Sequence, residues 1–268
     1  CKWDNKLYNC AAVIQKGKIL GLIPKLHLPN YGEFYEQRWF VSGRGVDYAV
    51  SLCGQDCIPL CAGGLFECAD MPGLVVGVEL CEDLWAAEPP SVRLARAGAT
   101  VILNLSASDE VAGKAAYRRQ LVSGQSARLL CGYVYADAGQ GESSTDMVFA
   151  GHNMIAENGA LLAENRFSTG LTATELDVGR LVYERRRMTT FSGDTENVWR
   201  QRFSLKETET ALTRPVSPAP FVPQGQRDRA ERCDEILRIA ALGLKQRLEH
   251  THAAAAVIGL SGGLDSTL

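Results

Sequence analysis

A chain of 268 residues that is 46% hydrophobic and 22% charged can bury a sizeable core, and this ordinary composition excludes the disordered and fibrous classes. Its net charge of -3 gives no electrostatic reason to expect a nucleic acid or an acidic membrane as a partner. The sequence contains no apolar run of the roughly 20 residues that a bilayer span needs, and no signal-peptide pattern, so we expect a cytoplasmic protein.

Two hairpins are predicted, one near each end of the first domain. Apolar runs at residues 10–14 and 19–23 flank a short Gly-containing turn. Much later, Asn158 and Gly159 separate two further apolar runs, and both residue types tolerate the positive φ angles of a tight hairpin turn.

Between the hairpins, strand and helix patterns alternate. The predicted strands span residues 73–80, 99–105 and 133–138, and the predicted helices span residues 90–97 and 113–130. The first two strands are continuous apolar runs rich in Val, Ile and Leu, as expected for strands buried on both faces. This alternation predicts a layered α/β domain.

A change of composition marks a domain boundary. Four prolines between residues 215 and 223 interrupt any regular element, so residues 208–229 are predicted to be a linker between a first domain, 1–207, and a second, 230–268. The second domain begins with apolar residues at helical spacing from Cys233 to Leu248, followed by a predicted strand at residues 253–260. The chain lacks an initial Met and stops after a Gly-rich turn, so both ends are expected to be truncated.

That Gly-rich turn carries the first chemical motif, SGGLDS. Its two glycines let backbone N–H groups approach an anion, and a helix N-terminus is expected next. The motif differs from the Walker and dinucleotide patterns and resembles the SGGxDS loop of ATP-pyrophosphatases, which split ATP into an adenylate and pyrophosphate. The alternative is a plain Gly-rich turn with an Asp cap. The ATP-binding candidates are Ser261, Gly262, Gly263, Asp265 and Ser266.

The second motif pairs a cysteine with a lysine. Cys81 directly follows the strand predicted at residues 73–80, which places its thiol at the carboxyl edge of a buried sheet. A cysteine thiolate needs a nearby cation at neutral pH, and Lys25, which also follows an apolar strand, could reach the same edge.

This pair closely resembles the Lys and Cys of the nitrilase superfamily, whose triad is Glu, Lys and Cys. The Lys25 segment is followed by PNYGEFYEQRWF, Cys81 lies in VELCEDLW, and ESSTD occupies residues 142–146. Together with SGGLDSTL at the end, these segments resemble the bacterial glutamine-dependent NAD synthetases over nearly the whole chain. The fold implied is a nitrilase-like α-β-β-α sandwich, incomplete at its N-terminus. It is followed by the first helix and strand of an adenine-nucleotide α-hydrolase-like, Rossmann-like domain.

The resemblance also assigns roles. Cys81 attacks the carboxamide of glutamine, while Lys25 and the backbone N–H of Glu82 stabilise the oxyanion. The general-base Glu is expected before residue 1. Glu33 matches a second, structural glutamate, although an ordinary surface carboxylate is the alternative. The residues that match the glutamine pocket are Tyr31, Glu82, Trp85 and Ser106, each of which could instead serve packing or solvation.

The activity implied is hydrolysis of glutamine to glutamate and ammonia. The ammonia then amidates adenylated nicotinic acid adenine dinucleotide to NAD, with ATP converted to AMP and pyrophosphate. ATP and Mg²⁺ are expected in the complete synthetase domain, with no cofactor in the glutaminase domain, and a homo-oligomer is expected. This chain alone is expected to be inactive in both half-reactions.

Several alternatives remain. A stand-alone nitrilase-type amidase is disfavoured by SGGLDS, and an inactive interaction module is a second possibility for this fragment. Cys1 as an N-terminal nucleophile is disfavoured because Lys2 and Trp3, and not a small Gly-containing turn, follow it. The remaining cysteines are expected to be reduced. A cluster of four on a predicted loop, Cys53, Cys57, Cys61 and Cys68, lacks the spacing of a metal site.

Overall fold

The structure is a computed structural model that describes residues 1–191, 193, 198–223 and 225–268. The chain divides into two compact units, Cys1–Arg214 and Pro215–Leu268, which are described separately.

The first unit begins with a small sheet. After the short pair β1 (Lys2–Trp3) and β2 (Lys6–Leu7), four strands follow: β3 (Cys10–Gln15), β4 (Lys18–Pro24), β5 (Asp47–Leu52) and β6 (Gln55–Cys61). The four-stranded sheet has the order β3-β4-β6-β5. Antiparallel pairing of β3 with β4 confirms the first predicted hairpin.

The larger sheet has seven strands. These are β7 (Leu65–Cys68), β8 (Val75–Leu80), β9 (Val101–Ser106), β10 (Gly132–Asp137), β11 (Asn153–Glu157), β12 (Ala160–Asn165) and β13 (Arg200–Phe203). The order is β12-β11-β10-β9-β8-β7-β13, with β8, β9 and β10 parallel at its centre. The hairpin of β11 and β12 turns at Asn158 and Gly159, whose φ angles are 46° and 86°, as the sequence predicted.

Helices cover one face of this sheet. The helices α1 (Pro90–Arg96) and α2 (Lys114–Leu129) confirm the two predicted helices and pack on β8, β10 and β11. A third helix, α3 (Val178–Arg187), lies at the amino ends of the central strands, where Arg185 binds the carbonyl oxygens of Ala99 and Leu129. The helical face buries a core that includes Leu94, Ile102 and Val122.

The other face packs against the small sheet. Ala11 and Ile23 of the small sheet share a buried cluster with Phe66, Val78 and Leu80 of the large one. The layers formed by the described residues are therefore helices, large sheet and small sheet. The second helical layer of the predicted α-β-β-α sandwich is not among them.

The predicted loop location of four cysteines is wrong for three of them. Cys57 and Cys61 lie on β6, Cys68 lies on β7, and only Cys53 occupies a turn. Pro59 lies within β6 and is paired with Ala49 of β5, although its presence had indicated a loop. All nine cysteines are free thiols.

The second unit contains a long helix, α4 (Gln226–His250), and one short turn of helix, α5 (Leu264–Thr267). The predicted amphipathic helix is confirmed within α4, but the strand predicted at residues 253–260 does not form. A strand needs neighbours to pair its backbone N–H and C=O groups. The described residues of this unit supply no such neighbour, and residues 253–260 are exposed.

Candidate active site

A cavity of about 770 Å³ opens in the first unit where β4, β8, β9 and β10 end. Its walls include Lys25, which follows β4, and Cys81, which follows β8. Ser106 and Asp137, the last residues of β9 and β10, line it too. Packing of the two sheets brings these strand ends together, and ligand sites in α/β folds collect at such carboxyl ends.

Cys81 occupies a strained turn. It begins a one-turn 3₁₀ helix, Cys81–Leu84, with a φ angle of 45°, a left-handed conformation that a residue with a side chain seldom adopts. Strain of this kind persists only where the surroundings enforce it, and it is common at active sites. Here the backbone N–H of Cys81 donates to Oδ1 of Asn104 at 3.0 Å.

Asp83 joins the Cys81 turn to the segment that carries Lys25. Its Oδ1 accepts hydrogen bonds from the backbone N–H groups of Leu26, at 3.2 Å, and His27, at 2.8 Å. Its Oδ2 accepts from the backbone N–H of Leu80 at 3.0 Å. Burial raises the pKa of this carboxyl group, while the hydrogen bonds oppose the rise.

Lys25 is paired with a glutamate that the sequence did not single out. The Lys25 side chain is 4% exposed, and its ammonium group binds the carboxylate of Glu36. The other oxygen of Glu36 accepts a hydrogen bond from the side-chain amide of Asn9 at 2.6 Å. Glu33, the predicted structural acid, is exposed three residues earlier. The acid that binds Lys25 is therefore Glu36, the first residue of the short 3₁₀ helix Glu36–Arg38.

The four predicted glutamine-pocket residues lie in three different settings. Ser106 lines the cavity with Cys81 and Lys25. Tyr31 and Glu82 form a hydrogen bond of 2.6 Å next to Cys81, and both burial and this carboxylate raise the pKa of Tyr31. Trp85 lies further out against Tyr117, with ring centroids 5.4 Å apart.

Lys114 is a neighbour of this aromatic group that the sequence reasoning missed. Its ammonium lies 5.5 Å from the Trp85 ring centroid and 5.8 Å from that of Phe34, and it also pairs with Asp109. A cation between two rings is stabilised by their negative faces. These contacts connect the Lys25 segment, the turn after Cys81 and the start of α2.

Buried charged groups also lie at the cavity wall. Burial raises the pKa of Asp137 to about 6, although its Oδ1 accepts from the backbone N–H of Ser108 at 2.9 Å. Its Oδ2 lies 4.0 Å from Nη1 of Arg118, a fully buried residue. The only sequence signal for Asp137 was its place at the end of a predicted strand.

The SGGLDS loop belongs to the second unit. Gly262 has a φ angle of 83°, and α5 begins at Leu264. The backbone N–H of Ser261 donates to Oγ of Ser266 at 3.2 Å, which closes the loop on itself. Ser261, Gly263 and Asp265 are exposed, and Ser266 is partly buried.

The described residues show neither a metal site nor a membrane span. They contain no group of three or more His, Cys, Asp and Glu side chains arranged to hold a metal ion. None of their helices has both the length and the apolar character of a membrane span.

The sequence around this site matches a known protein family. The profile of a family described as carbon-nitrogen hydrolase matches residues 2–185, the part of the chain that contains Lys25, Cys81 and the whole cavity. The chain belongs to the carbon-nitrogen hydrolase family. This family is also called the nitrilase superfamily, so the predicted nitrilase-type α/β fold is confirmed.

Several individual relatives within this family share one name. A glutamine-dependent NAD(+) synthetase of Mycobacterium tuberculosis is 43% identical over 98% of this chain, which spans 40% of that relative's length. The crystal structure of a glutamine-dependent NAD(+) synthetase from Cytophaga hutchinsonii matches 64% of this chain at 30% identity, with a TM-score of 0.54. The match covers 27% of the Cytophaga chain. A glutamine-dependent NAD+ synthetase from Acinetobacter baumannii, in complex with adenosine diphosphate, covers 63% at 27% identity, with a TM-score of 0.50 and 28% of its chain matched.

Proposed function

We propose that this chain is the glutamine-hydrolysing part of a glutamine-dependent NAD synthetase, together with the start of its synthetase domain. The observation that carries the proposal is the shared cavity. A cysteine on a strained strand-end turn and a buried lysine line the same space, in a chain 43% identical to synthetases of that name.

In the proposed reaction, Sγ of Cys81 bonds to the side-chain carboxamide carbon of glutamine. The C–N bond then breaks, and the nitrogen leaves as ammonia after taking up the proton released by the thiol. Water next attacks the γ-glutamyl thioester, which gives glutamate and restores the thiol. The Lys25 ammonium and the backbone N–H of Glu82 are the proposed oxyanion donors, and one such donor is typically worth about 10² to 10³ in rate. The general base is proposed to be the family's glutamate, outside these 268 residues.

Glu36 has a supporting role in this scheme. A lysine that is 4% exposed would otherwise be an uncompensated buried charge, and the carboxylate of Glu36 removes that cost while fixing the position of the ammonium group. Asn9 in turn holds the carboxylate. Tyr31, Glu82 and Ser106 are proposed to hold the glutamine, and Trp85 to border the entrance.

The synthetase step is proposed for the second unit. Ser261, Gly262, Gly263, Asp265 and Ser266 would hold the phosphates of MgATP, and the ammonia would amidate adenylated nicotinic acid adenine dinucleotide. Support comes from the positive φ of Gly262 and the helix start at Leu264, since backbone N–H groups at such a loop favour anions. The Acinetobacter relative with bound ADP is consistent with adenine-nucleotide use. The boundaries at 207 and 230, the homo-oligomer and the cytoplasmic location remain predictions.

The test uses two nitrogen donors. In the full-length protein, Cys81→Ala should abolish NAD formation from glutamine and leave formation from ammonium, because only the ammonia source depends on the thiol. Cys57→Ala, at an exposed cysteine on β6, is the matched control and should retain both activities. Equal loss with both donors in Cys81→Ala would contradict the proposal.

A further inference from the structure

A chain of buried polar groups runs beneath the cysteine turn and ends at the buried carboxylate of Glu79. The backbone N–H of Cys81 donates to Oδ1 of Asn104 at 3.0 Å, and Nδ2 of Asn104 donates to the Tyr133 hydroxyl at 3.1 Å. That hydroxyl donates to Oε1 of Glu79, and Oε2 of Glu79 accepts from the backbone N–H of Ser91 at 2.7 Å. Glu79 and Asn104 are each 1% exposed, and Tyr133 is fully buried.

The direction of every hydrogen bond in this chain follows from Glu79. An ionised carboxylate only accepts, so the single hydroxyl hydrogen of Tyr133 must point to it. The oxygen of Tyr133 can then only accept from Asn104, which commits the amide nitrogen of Asn104 to that side. Its carbonyl oxygen is left facing the N–H of Cys81, which needs an acceptor.

Protonation of Glu79 would disturb this order. Oε2 accepts from Ser91, so the added proton would lie on Oε1 and be donated to Tyr133. The Tyr133 hydrogen would then lack an acceptor, or the Asn104 amide would reverse and present its NH₂ to the N–H of Cys81. Either outcome loses a buried hydrogen bond, which typically costs about 1–3 kcal/mol.

We propose that Glu79 is a positioning residue for the nucleophile: through Tyr133 and Asn104 its carboxylate fixes the backbone of Cys81 in the left-handed conformation from which the thiol reacts. Glu79 touches no substrate in this scheme. On β8 it is the neighbour of Leu80, which faces the small sheet and the cavity, and successive strand side chains point to opposite faces, so Glu79 points to the helical side, where the backbone N–H of Ser91 on α1 binds it. This role rests on the proposed function only in its kinetic test, which measures glutamine hydrolysis; the alkylation test does not require that function.

The surroundings of Glu79 allow this role to depend on pH. Burial raises the pKa of Glu79 to about 7, although the hydrogen bonds from Tyr133 and Ser91 act to lower it. The other titratable groups that influence it are Asp83, from the Cys81 turn, and Cys131, just before β10. Because the carboxylate titrates near neutrality, the order of the chain should weaken below about pH 7.

The test compares two variants of the full-length protein, Glu79→Gln and Tyr133→Phe, with Tyr8→Phe as the control. Tyr8 is a buried tyrosine in the core of the small sheet. Both variants should lower kcat for glutamine hydrolysis about tenfold or more and leave KM within about twofold, since a misplacement of about 1 Å can cost 10²-fold in rate. Tyr8→Phe should change neither constant.

Alkylation of Cys81 by iodoacetamide supplies a readout that needs no glutamine. The rate in Glu79→Gln and Tyr133→Phe should differ from wild type at least threefold at pH 8, and its pH profile should lose any dependence on a group that titrates near 7. If turnover is absent in the wild type while this alkylation difference remains, the proposed function fails and the positioning role stands.

The wild-type protein gives a measurement that no folding defect can affect. Its alkylation rate should fall below pH 7 more steeply than ionisation of one thiol allows, because Glu79 is protonated in the same range. The pH dependence of this role is excluded by a wild-type profile that fits one ionisation. The positioning role itself is overturned by folded variants whose kcat and alkylation rate match those of wild type.

Discussion

Oδ1 of Asp83 lies 2.8 Å from the backbone nitrogen of His27, and this contact connects the two halves of the candidate site. His27 belongs to the segment after Lys25, and Asp83 belongs to the turn that begins at Cys81. The same carboxylate accepts the N–H of Leu80, so it fixes both strand ends at once. A side chain that is 1% exposed therefore sets where the lysine lies relative to the thiol.

Asp83→Asn should weaken both stability and catalysis. An amide keeps one oxygen but turns its NH₂ towards backbone N–H groups, which leaves at least one buried donor unpaired at a cost of about 1–3 kcal/mol. We expect a lower denaturation midpoint and a lower kcat with glutamine. Asp70→Asn, at an exposed position, is the control. An Asp83→Asn protein with wild-type stability and turnover would show that the carboxylate is dispensable.

Glu36→Gln and Glu33→Gln separate the acid that binds Lys25 from the acid that the sequence predicted for the structural role. Glu36 binds Lys25, whereas Glu33 is exposed, so only Glu36→Gln should leave the lysine without a counter-charge. We expect Glu36→Gln to lower glutamine-dependent turnover about tenfold to a hundredfold. Glu33→Gln should change it less than threefold. Steady-state kinetics with glutamine would decide, and a larger effect from Glu33→Gln would reverse the assignment.

Asp137 should make stability depend on pH. Its pKa is raised from 3.8 to about 6, so between these values the folded protein keeps a proton that the unfolded chain releases. The stability associated with the neutral group is present below pH 4 and is lost as pH rises through 6.

The measurement is urea unfolding at pH 4, 5, 6 and 7, followed by tryptophan fluorescence. All four tryptophans lie in the first unit. Relative to Asp137→Asn, the free energy of unfolding of the wild type should fall by up to about 1.4 kcal/mol per pH unit between pH 4 and 6. Parallel curves for the two proteins would show that Asp137 has an ordinary pKa.

Gly262→Ala tests the proposed ATP loop. The φ angle of 83° strains any residue with a side chain, so the loop should lose its backbone geometry at a cost of about 1–2 kcal/mol. In the full-length protein, NAD formation should fall with glutamine and with ammonium alike, in contrast to Cys81→Ala. Gly124→Ala, on α2 where an added Cβ meets nothing within 4 Å, is the matched control. Loss confined to the glutamine reaction would argue against an ATP site in this loop.

The sequence predicted those parts of the fold that depend on local patterns. The apolar runs that became β8 and β9, the helical spacing of α1 and α2, and the turn at Asn158 and Gly159 are each readable from a few consecutive residues. Cys81 and Lys25 were found because each directly follows such a strand. The strand expected at residues 253–260 failed because its pairing depends on neighbours and not on its own composition.

The remaining site residues could not be found in this way. Glu33 and Glu36 lie three apart in one polar segment, and only the turn of the backbone decides which of them reaches Lys25. Asp83 was part of a recognised segment, but its contact with His27 joins positions 56 residues apart. The orientation of Asn104 depends on Tyr133 and Glu79 from two other strands. Long-range contacts of this kind leave no periodic trace in one sequence.

The most direct test of the account is to look for the covalent intermediate. The full-length protein should be mixed with glutamine, quenched in acid within the first turnovers, digested and examined by mass spectrometry. We expect a γ-glutamyl group on the peptide that contains Cys81, and none in Cys81→Ala. Steady glutamate release with no such adduct in the wild type, or an adduct on another cysteine, would contradict the assignment of Cys81 as the nucleophile.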